Sequence, residues 1–192
     1  MRWPEQEKLA SRPVWGVNWF EARAYTRWLD AELRKEIDAA HLAGDYRIML
    51  PTEVLWERAA RAASKTTVDS RLWPWGNDEN LADQQANLRQ KVGSVCAVGL
   101  YPPNPIGLYD MAGNAWEWMD NLYQSKPDKM VGVKKDVDLM SAEAMDKSDL
   151  PTLRGGSWID GPDNARCSLR NRTLPDFWNN CVGFRVVLSL AN

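Results

Sequence analysis

Tryptophan constrains the fold of this chain more than any other residue type. The sequence has 11 tryptophans in 192 residues, and they recur in short polar or glycine-rich stretches: VWGVNWF, RLWPWGN, NAWEWMD and GGSWID. Regular helices and strands do not require large rings in such contexts. A loop-rich fold does, because indole rings hold irregular backbone in place and offer an N–H for hydrogen bonding.

Composition excludes several classes of protein. At 192 residues and 44% hydrophobic content the chain can bury a core, and we expect one domain over residues 1–192. A net charge of -2 gives no general attraction to nucleic acid. The sequence has no apolar run of about 18 residues, so no membrane span is predicted. The N-terminus lacks the apolar stretch of a secretory signal, which favours a cytoplasmic location.

Histidine and cysteine usage argues against common metal and disulfide chemistry. The single histidine, His41, cannot supply the several imidazoles that catalytic iron or zinc usually needs. Three cysteines, Cys96, Cys167 and Cys181, are too few and too unevenly spaced for a disulfide framework.

Local patterns predict two helices and two strands. Asn18 and Glu21 form a capping-box pattern at the start of WFEARAYTRWLDAELRKEID. Thr52 is placed to cap a second helix through VLWERAARAAS. Residues 46–50 predict a short strand, and residues 182–188 predict a buried one.

The middle of the chain has no sustained periodicity. Proline and glycine interrupt residues 64–160, which predicts loops around short strands. Residues 124–150 are charged and unpatterned, and we expect them to form a surface insertion.

Five sequence blocks, in order, resemble the sulfatase-modifying-factor family, which includes the formylglycine-generating enzymes. They are PVWGVNWFEARAYTRWL, RIMLPTEVLWERAARAA, WPWGN, PPNPIGLYDMAGNAWEW, and LRGGSW followed at a distance by VGFRVV. Together they span residues 13–187. The resemblance implies an α+β domain with the C-type lectin-like fold of the formylglycine-generating-enzyme subclass. Two helices, a small twisted antiparallel sheet and much irregular structure are then expected.

The block DMAGNAWEW suggests a calcium site. Two carboxylates and an amide lie close together there, and calcium prefers hard oxygen donors. The matching family segment binds a structural calcium, which implies ligands Asp110 and Glu117 through side chains and Gly113 and Ala115 through carbonyls. The alternative is a metal-free turn in which Glu117 accepts backbone N–H groups. A second family calcium site would include Asn87, but the aspartate that completes it is missing.

The cysteines that carry catalysis in the formylglycine-generating enzymes are missing. Those enzymes bind copper through two thiolates after GGSW, and Asp160 and Ala165 occupy these positions here. Cys167 and Cys181 lie fourteen residues apart and do not restore the pair. The iron-dependent sulfoxide synthases of the family need a histidine cluster. We therefore expect neither copper nor iron and no enzymatic activity, with Ser157 acting as a loop hydroxyl.

The segment over residues 159–181, called the variable segment below, has the composition of an adaptable binding surface. Aromatic and aliphatic residues alternate irregularly with asparagine and aspartate. Arg166, Arg170 and Arg172 are expected to fix it by forked guanidinium bonds. The predicted ligand-binding residues are Ile159, Asp160, Asp163, Asn164, Leu169, Asn171, Leu174, Asp176, Phe177, Trp178, Asn179 and Asn180.

The variable segment is similar to the variable region of proteins that diversity-generating retroelements rewrite at adenines, many of which use this domain. Asparagine codons there become many residues, whereas Trp178 needs a different template codon. The resemblance implies a non-catalytic protein that binds an unknown ligand, expected to be a protein, in a bacterial or phage source. Ile159, Leu174 and Phe177 should then be exposed together with Trp178.

Two alternatives stay open. An oxidoreductase of the formylglycine-generating type predicts that the sulfur atoms of Cys167 and Cys181 lie within bonding reach. A degenerate structural relative fused to another module predicts that residues 124–150 face a partner. At the DNA level, a near-copy of the 3′ coding end that differs only at adenines, beside a reverse transcriptase gene, would establish diversification.

Overall fold

The computed structural model describes residues 3–40, 42–62, 70–123 and 150–190. His41 and nearly all of the predicted charged insertion, residues 124–149, lie outside these ranges. Within them the chain forms five α-helices: α1 (Trp3–Gln6), α2 (Trp19–Glu32), α3 (Arg34–Ala39), α4 (Glu53–Ala60) and α5 (Ala82–Gln85). Short 3-10 helices are Glu7–Leu9, Glu79–Leu81 and Pro162–Ala165. The single-domain organisation stays a prediction.

Both predicted helix starts are confirmed. The Asn18 side chain accepts from the Glu21 backbone N–H at 2.9 Å, and Glu21 Oε2 accepts from the Asn18 N–H at 2.8 Å. These two bonds complete the capping box of α2. Thr52 Oγ1 caps α4. The first predicted helix is interrupted at Leu33, where the backbone leaves helical geometry before α3 begins.

Six short strands form two sheets in the described residues: β1 (Tyr46–Met49), β2 (Trp116–Leu122), β3 (Pro151–Arg154), β4 (Asn171–Arg172), β5 (Val182–Gly183) and β6 (Val187–Leu190). One sheet has the order β4-β3-β2-β5, and the other pairs β1 with β6. All pairs are antiparallel except β2–β5, which is parallel. Few helices and small sheets with much irregular structure confirm the α+β, C-type lectin-like prediction.

The strand predicted at the end of the chain is only partly correct. Residues 182–188 divide between β5, which is buried, and β6, which belongs to the other sheet. Val186 and Leu188 are exposed instead of buried. The residues of β6 alternate between half-buried and exposed, as expected for a strand with one face in solvent.

The tryptophans perform the role predicted from their contexts. Four of them are almost fully buried, and indole N–H groups donate to backbone carbonyls far away along the chain. These bonds are Trp19 to Met119 at 2.8 Å, Trp118 to Val17 at 3.0 Å, Trp73 to Pro162 at 2.7 Å and Trp158 to Asn180 at 3.2 Å. Irregular backbone is thus fixed by rings as well as by sheet bonds.

A buried carboxylate on α4 binds the variable segment to the core. Glu53 is 1% exposed and forms a forked ion pair with the guanidinium of Arg170. Its Oε1 also accepts from Asn121 Nδ2 at 2.8 Å and from Thr152 Oγ1 at 3.0 Å. The predicted fixing role is therefore confirmed for Arg170.

The other two predicted arginines lie nearer the surface. Arg166 pairs with the exposed Asp163 at 2.6 Å, and Arg172 lies 4.3 Å from the centre of the Tyr123 ring. Sequence reasoning missed Arg154, which is fully buried. Its guanidinium donates to the carbonyls of Cys167, Ser168 and Leu169 and pairs with Glu57.

We predict that Glu53→Gln lowers the free energy of unfolding by about 3 kcal/mol, because Arg170 loses the charge that compensates it. Urea denaturation measures this loss. Glu32→Gln, at an exposed position of α2, is the matched control and should change stability by less than about 0.5 kcal/mol. A loss as small as that of the control would contradict the assignment.

The same pair predicts a pH dependence. Burial alone would raise the pKa of Glu53, but hydrogen bonds from Arg170 and Asn121 outweigh it and hold that pKa below its ordinary value of 4.5. A lowered folded-state pKa stabilises the protein above pH 4.5, and this contribution disappears as the pH falls through the folded value. Glu53→Gln should remove this part of the acid dependence.

Candidate functional site

The variable segment connects β3 to β5, and hydrogen bonds from other parts of the protein hold its backbone in place. The carbonyl of Asp160 accepts from the Arg89 N–H at 2.8 Å, and the Cys167 N–H donates to the Leu72 carbonyl at 2.7 Å. Further on, the carbonyl of Pro175 accepts from Trp19 at the start of α2 at 3.0 Å. Apart from the 3-10 helix Pro162–Ala165 and β4, the segment is therefore irregular backbone with defined contacts.

Four of the five large apolar side chains of the predicted surface are exposed. Exposed fractions are 41% for Ile159, 52% for Leu174, 39% for Phe177 and 57% for Trp178. This confirms the predicted exposure of these side chains. The exposed members of the twelve predicted ligand-binding residues are Ile159, Asp163, Asn164, Asn171, Leu174, Asp176, Phe177, Trp178 and Asn180. Their role as a binding site stays a prediction.

Hydrogen bonds bring parts of this set together. The Phe177 N–H donates to the Leu174 carbonyl at 3.0 Å, which folds residues 174–177 into a turn ahead of Trp178. The indole N–H of Trp158 bonds to the Asn180 carbonyl at 3.2 Å. Because Ile159 follows Trp158 directly, both ends of the variable segment meet at this bond.

Asp160 is half-buried and bonds within the loop. Its Oδ2 accepts from the Ser157 N–H at 3.0 Å and the Ser157 hydroxyl at 2.6 Å, and its Oδ1 accepts from Asn164 at 3.0 Å. Asp160, which the sequence resemblance matches to a catalytic cysteine of the formylglycine-generating enzymes, thus closes a turn. Ser157 is bonded as a loop hydroxyl, as the sequence predicts.

Two further predicted residues are half-buried. Leu169 packs against the main core, and the side-chain carbonyl of Asn179 accepts from the Cys181 N–H at 3.0 Å. Leu169 is therefore less able to contact a ligand than its exposed neighbours, and the side-chain oxygen of Asn179 is already bonded within the loop.

A cleft of about 190 Å³ borders Trp178, and about half of its lining residues were not predicted from the sequence. Its walls combine the end of the variable segment with residues near the N-terminus. The lining residues are Glu5, Gln6, Trp15, Gly16, Trp178, Asn179 and Asn180. Trp15 lies in one of the short tryptophan stretches, VWGVNWF, but no sequence pattern links it to residues 178–180.

The residues predicted to bind calcium lie in a separate region of the surface. Asp110, Ala115 and Glu117 line one cavity of about 330 Å³. Gly113 lies in the adjoining turn at φ 71°, where a Cβ atom would be 2.4 Å from the Asn87 carbonyl oxygen. This close approach requires glycine.

The side chains of this cavity fit a calcium ion only in part. The carboxylate of Glu117 accepts from Arg185 at 2.6 Å through each oxygen and from the Trp56 indole at 2.7 Å. Asp110 accepts from the Gly99 N–H, and burial raises the pKa of its carboxyl group. A calcium ion would have to share Glu117 with Arg185. In the described part of the chain, no three His, Cys, Asp or Glu side chains converge on one point.

The cysteines do not form the pair that a thiol-dependent oxidase requires. Cys167 packs with Trp56 and Met111, whereas Cys181 belongs to the main core around Trp19. All three cysteines are free and buried. Burial raises the pKa of the Cys167 thiol to about 12 and also raises that of Cys181, so both stay protonated at neutral pH.

Within the residues that the structure describes, none of the helices has both the length and the apolar character that a bilayer span requires.

Curated relatives differ in what their names say they do. The chain is 32% identical over 182 residues to the serine/threonine-protein kinase pkn1 of Chlamydia pneumoniae, covering 92% of this chain and 24% of the relative. It is 32% identical to the inactive C-alpha-formylglycine-generating enzyme 2 of Bos taurus, over 94% of this chain and 51% of the relative. It is 34% identical to hercynine oxygenase of Mycobacterium tuberculosis, over 86% of this chain and 34% of the relative. The chain thus spans about half or less of these relatives.

Solved structures share the fold over most of the chain. PvdO from Pseudomonas aeruginosa superposes with a TM-score of 0.71 at 25% identity, covering 94% of this chain and 63% of that one. The variable protein 1 of Treponema denticola gives 0.69 at 25% identity, covering 92% and 70%. A family model for the sulfatase-modifying factor enzyme 1-like domain matches residues 2–190, and this chain belongs to that family.

Proposed function

We propose that this chain is a non-catalytic ligand-binding protein whose exposed variable segment contacts a partner protein. The observation that carries the proposal is the exposure of Leu174, Phe177 and Trp178 on a backbone that is fixed from beneath. Exposed aromatic side chains on a pre-organised loop suit binding, since little conformational entropy is lost when the partner docks.

The contacts of the segment support diversification at its exposed positions. Its fixed points are backbone carbonyls and a few inward side chains, including Arg170 and Cys181. Side chains such as Asn171 and Asp176 are exposed on the surface, where exchange disturbs few core contacts. The structural likeness to the variable protein of Treponema denticola agrees with this reading.

The absence of catalysis is part of the proposal, because relatives of both kinds exist. The likeness to an inactive formylglycine-generating enzyme favours a non-catalytic protein, whereas the likeness to hercynine oxygenase favours an enzyme. The site itself gives the stronger argument. Asp160 occupies the position of a catalytic cysteine and bonds to Ser157, while Cys167 and Cys181 are buried in different parts of the core.

A pair of equally exposed tryptophans tests the binding surface. Peptides selected from a random display library on the unmodified protein are the probe. Trp178 and Trp28 are 57% and 54% exposed, and Trp28 lies on α2 outside the variable segment. We expect Trp178→Ala to weaken binding of the selected peptides by about tenfold or more, as at interface hot spots, and Trp28→Ala to leave it within about twofold.

Isothermal titration calorimetry with each variant measures the effect, and thermal melting checks that both variants fold. Peptides that lose affinity on Trp28→Ala and keep it on Trp178→Ala would place the binding face elsewhere and overturn the proposal.

The thiols test the absence of copper chemistry. We predict that a disulfide reagent labels less than about one thiol per protein molecule in the native state at about pH 8. After denaturation it should label all three thiols. The reason is that buried thiols with raised pKa values present little thiolate. Rapid native reaction of Cys167 or Cys181 would instead support an oxidoreductase.

We further propose one weak calcium site at Asp110, Gly113, Ala115 and Glu117. With Glu117 shared with Arg185, we expect affinity near the millimolar end of the calcium range. About 10 mM calcium should then raise the melting temperature by about 3 °C, and equal magnesium should not. Asp110→Ala, which removes the oxygen donor, should abolish the rise. An unchanged melting temperature, or a rise that survives this substitution, would favour the metal-free turn.

A further inference from the structure

The two-stranded sheet of β1 and β6 has two edges, and side chains from α2 and α3 close the edge on β1. The N–H of Ile48 donates to Asp30 Oδ1 at 2.8 Å. The guanidinium of Arg34 donates to the carbonyl of Tyr46 at 2.8 Å. These backbone groups therefore lie on the side of β1 that faces away from β6. Free backbone groups at a sheet edge attract further strands, and these two bonds prevent that on β1.

The edge on β6 is open. Ile48 lies opposite Leu188, and Tyr46 lies opposite Leu190. In an antiparallel ladder, two opposite residues direct their N–H and C=O groups either toward each other or both away. Because those of Ile48 and Tyr46 face away from β6, those of Leu188 and Leu190 face away from β1. In the part of the chain that the structure describes, no group bonds to Leu188 from that side.

The side chains along this open edge are apolar. Val186, Leu188 and Leu190 are 41%, 48% and 47% exposed, and they alternate with half-buried residues. They therefore lie on one face of the strand. Natural proteins usually protect such an edge with a lysine, a proline or an inward-pointing charge. Residues 186–190, which read VVLSL, contain none of these.

The same stretch is complementary to itself. When two copies pair antiparallel about a two-fold axis at Leu188, each Leu188 exchanges both backbone bonds with its counterpart. Val186 of one copy then lies opposite Leu190 of the other, so six apolar side chains meet on one face. Residues 186–190 contain no ionisable side chain, so the axis brings no like charges of this stretch together.

We propose that β6 pairs with β6 of a second copy of this chain, which gives a four-stranded sheet in the order β1-β6-β6-β1. An interface built on two short strands is smaller than the roughly 1,200 Å² of stable complexes, so the dimer is weak and reversible. We expect a Kd on the order of 100 µM. The inference is independent of the proposed function, because it uses no residue of the variable segment.

Sedimentation equilibrium tests the dimer. From about 5 µM to about 500 µM protein, the weight-average mass should rise from that of one chain toward that of two. Leu188→Arg places two like charges opposite each other at the two-fold axis and should weaken the dimer by about tenfold or more. Leu55→Arg is the matched control, because Leu55 is 40% exposed on α4, outside the β1–β6 sheet. It should leave the mass curve unchanged, and thermal melting checks that both variants fold.

Amide hydrogen exchange locates the contact. The N–H of Leu188 should exchange about threefold more slowly at about 500 µM than at about 5 µM, because the dimer protects it and the monomer does not. The N–H of Ile48 is bonded within each copy and is the internal control. Its exchange rate should be the same at both concentrations.

Three results would overturn the proposal. One is a weight-average mass of a single chain at every concentration. Another is a dimer that Leu188→Arg and Leu55→Arg leave equally strong, since its contact would lie on a different surface. The third is slow exchange of the Leu188 N–H at both concentrations, since a segment of the same copy would then cover this edge.

Discussion

Glu53 is a buried carboxylate on which three distant stretches of the chain converge. Its partners Asn121, Thr152 and Arg170 lie 68, 99 and 117 residues away in sequence. They belong to β2, to β3 and to the variable segment. Burial of a charge is unfavourable unless such partners are present, so the arrangement is stable only when all the elements are in place. Glu53 therefore couples both the sheet and the surface loop to α4.

The variable segment is bound to the core mainly through its backbone. Arg154 donates to three consecutive carbonyls, over residues 167–169, and the N–H of Trp19 donates to the carbonyl of Pro175. Carbonyl groups are common to all residue types. A scaffold that bonds mainly to the backbone of a loop can hold that loop in one conformation while its exposed residues change. A surface that displays varied side chains requires this property.

Short-range patterns predicted much of the fold and some of the site. The capping box at Asn18, the strand β1 and the exposure of Trp178 follow from residues close together in sequence or from composition. The role of Arg154 and the wall formed by Trp15 did not follow. Their partners are far along the chain, and a lone arginine or tryptophan carries no pattern that identifies them. The prediction of one strand over residues 182–188 was also wrong. These residues divide between β5 and β6 in different sheets, and tertiary contacts decide which sheet each strand joins.

The bond between Trp158 and Asn180 has a consequence for how this surface can change in length. Its two partners are separated by 22 residues and lie at the two ends of the variable segment, next to β3 and β5. The ends are thus held together whatever lies between them. The entropy of closing a loop rises only with the logarithm of its length, so doubling an exposed stretch costs about 0.6 kcal/mol. Insertions and deletions around the exposed turn at residues 174–178 are therefore expected to cost little stability.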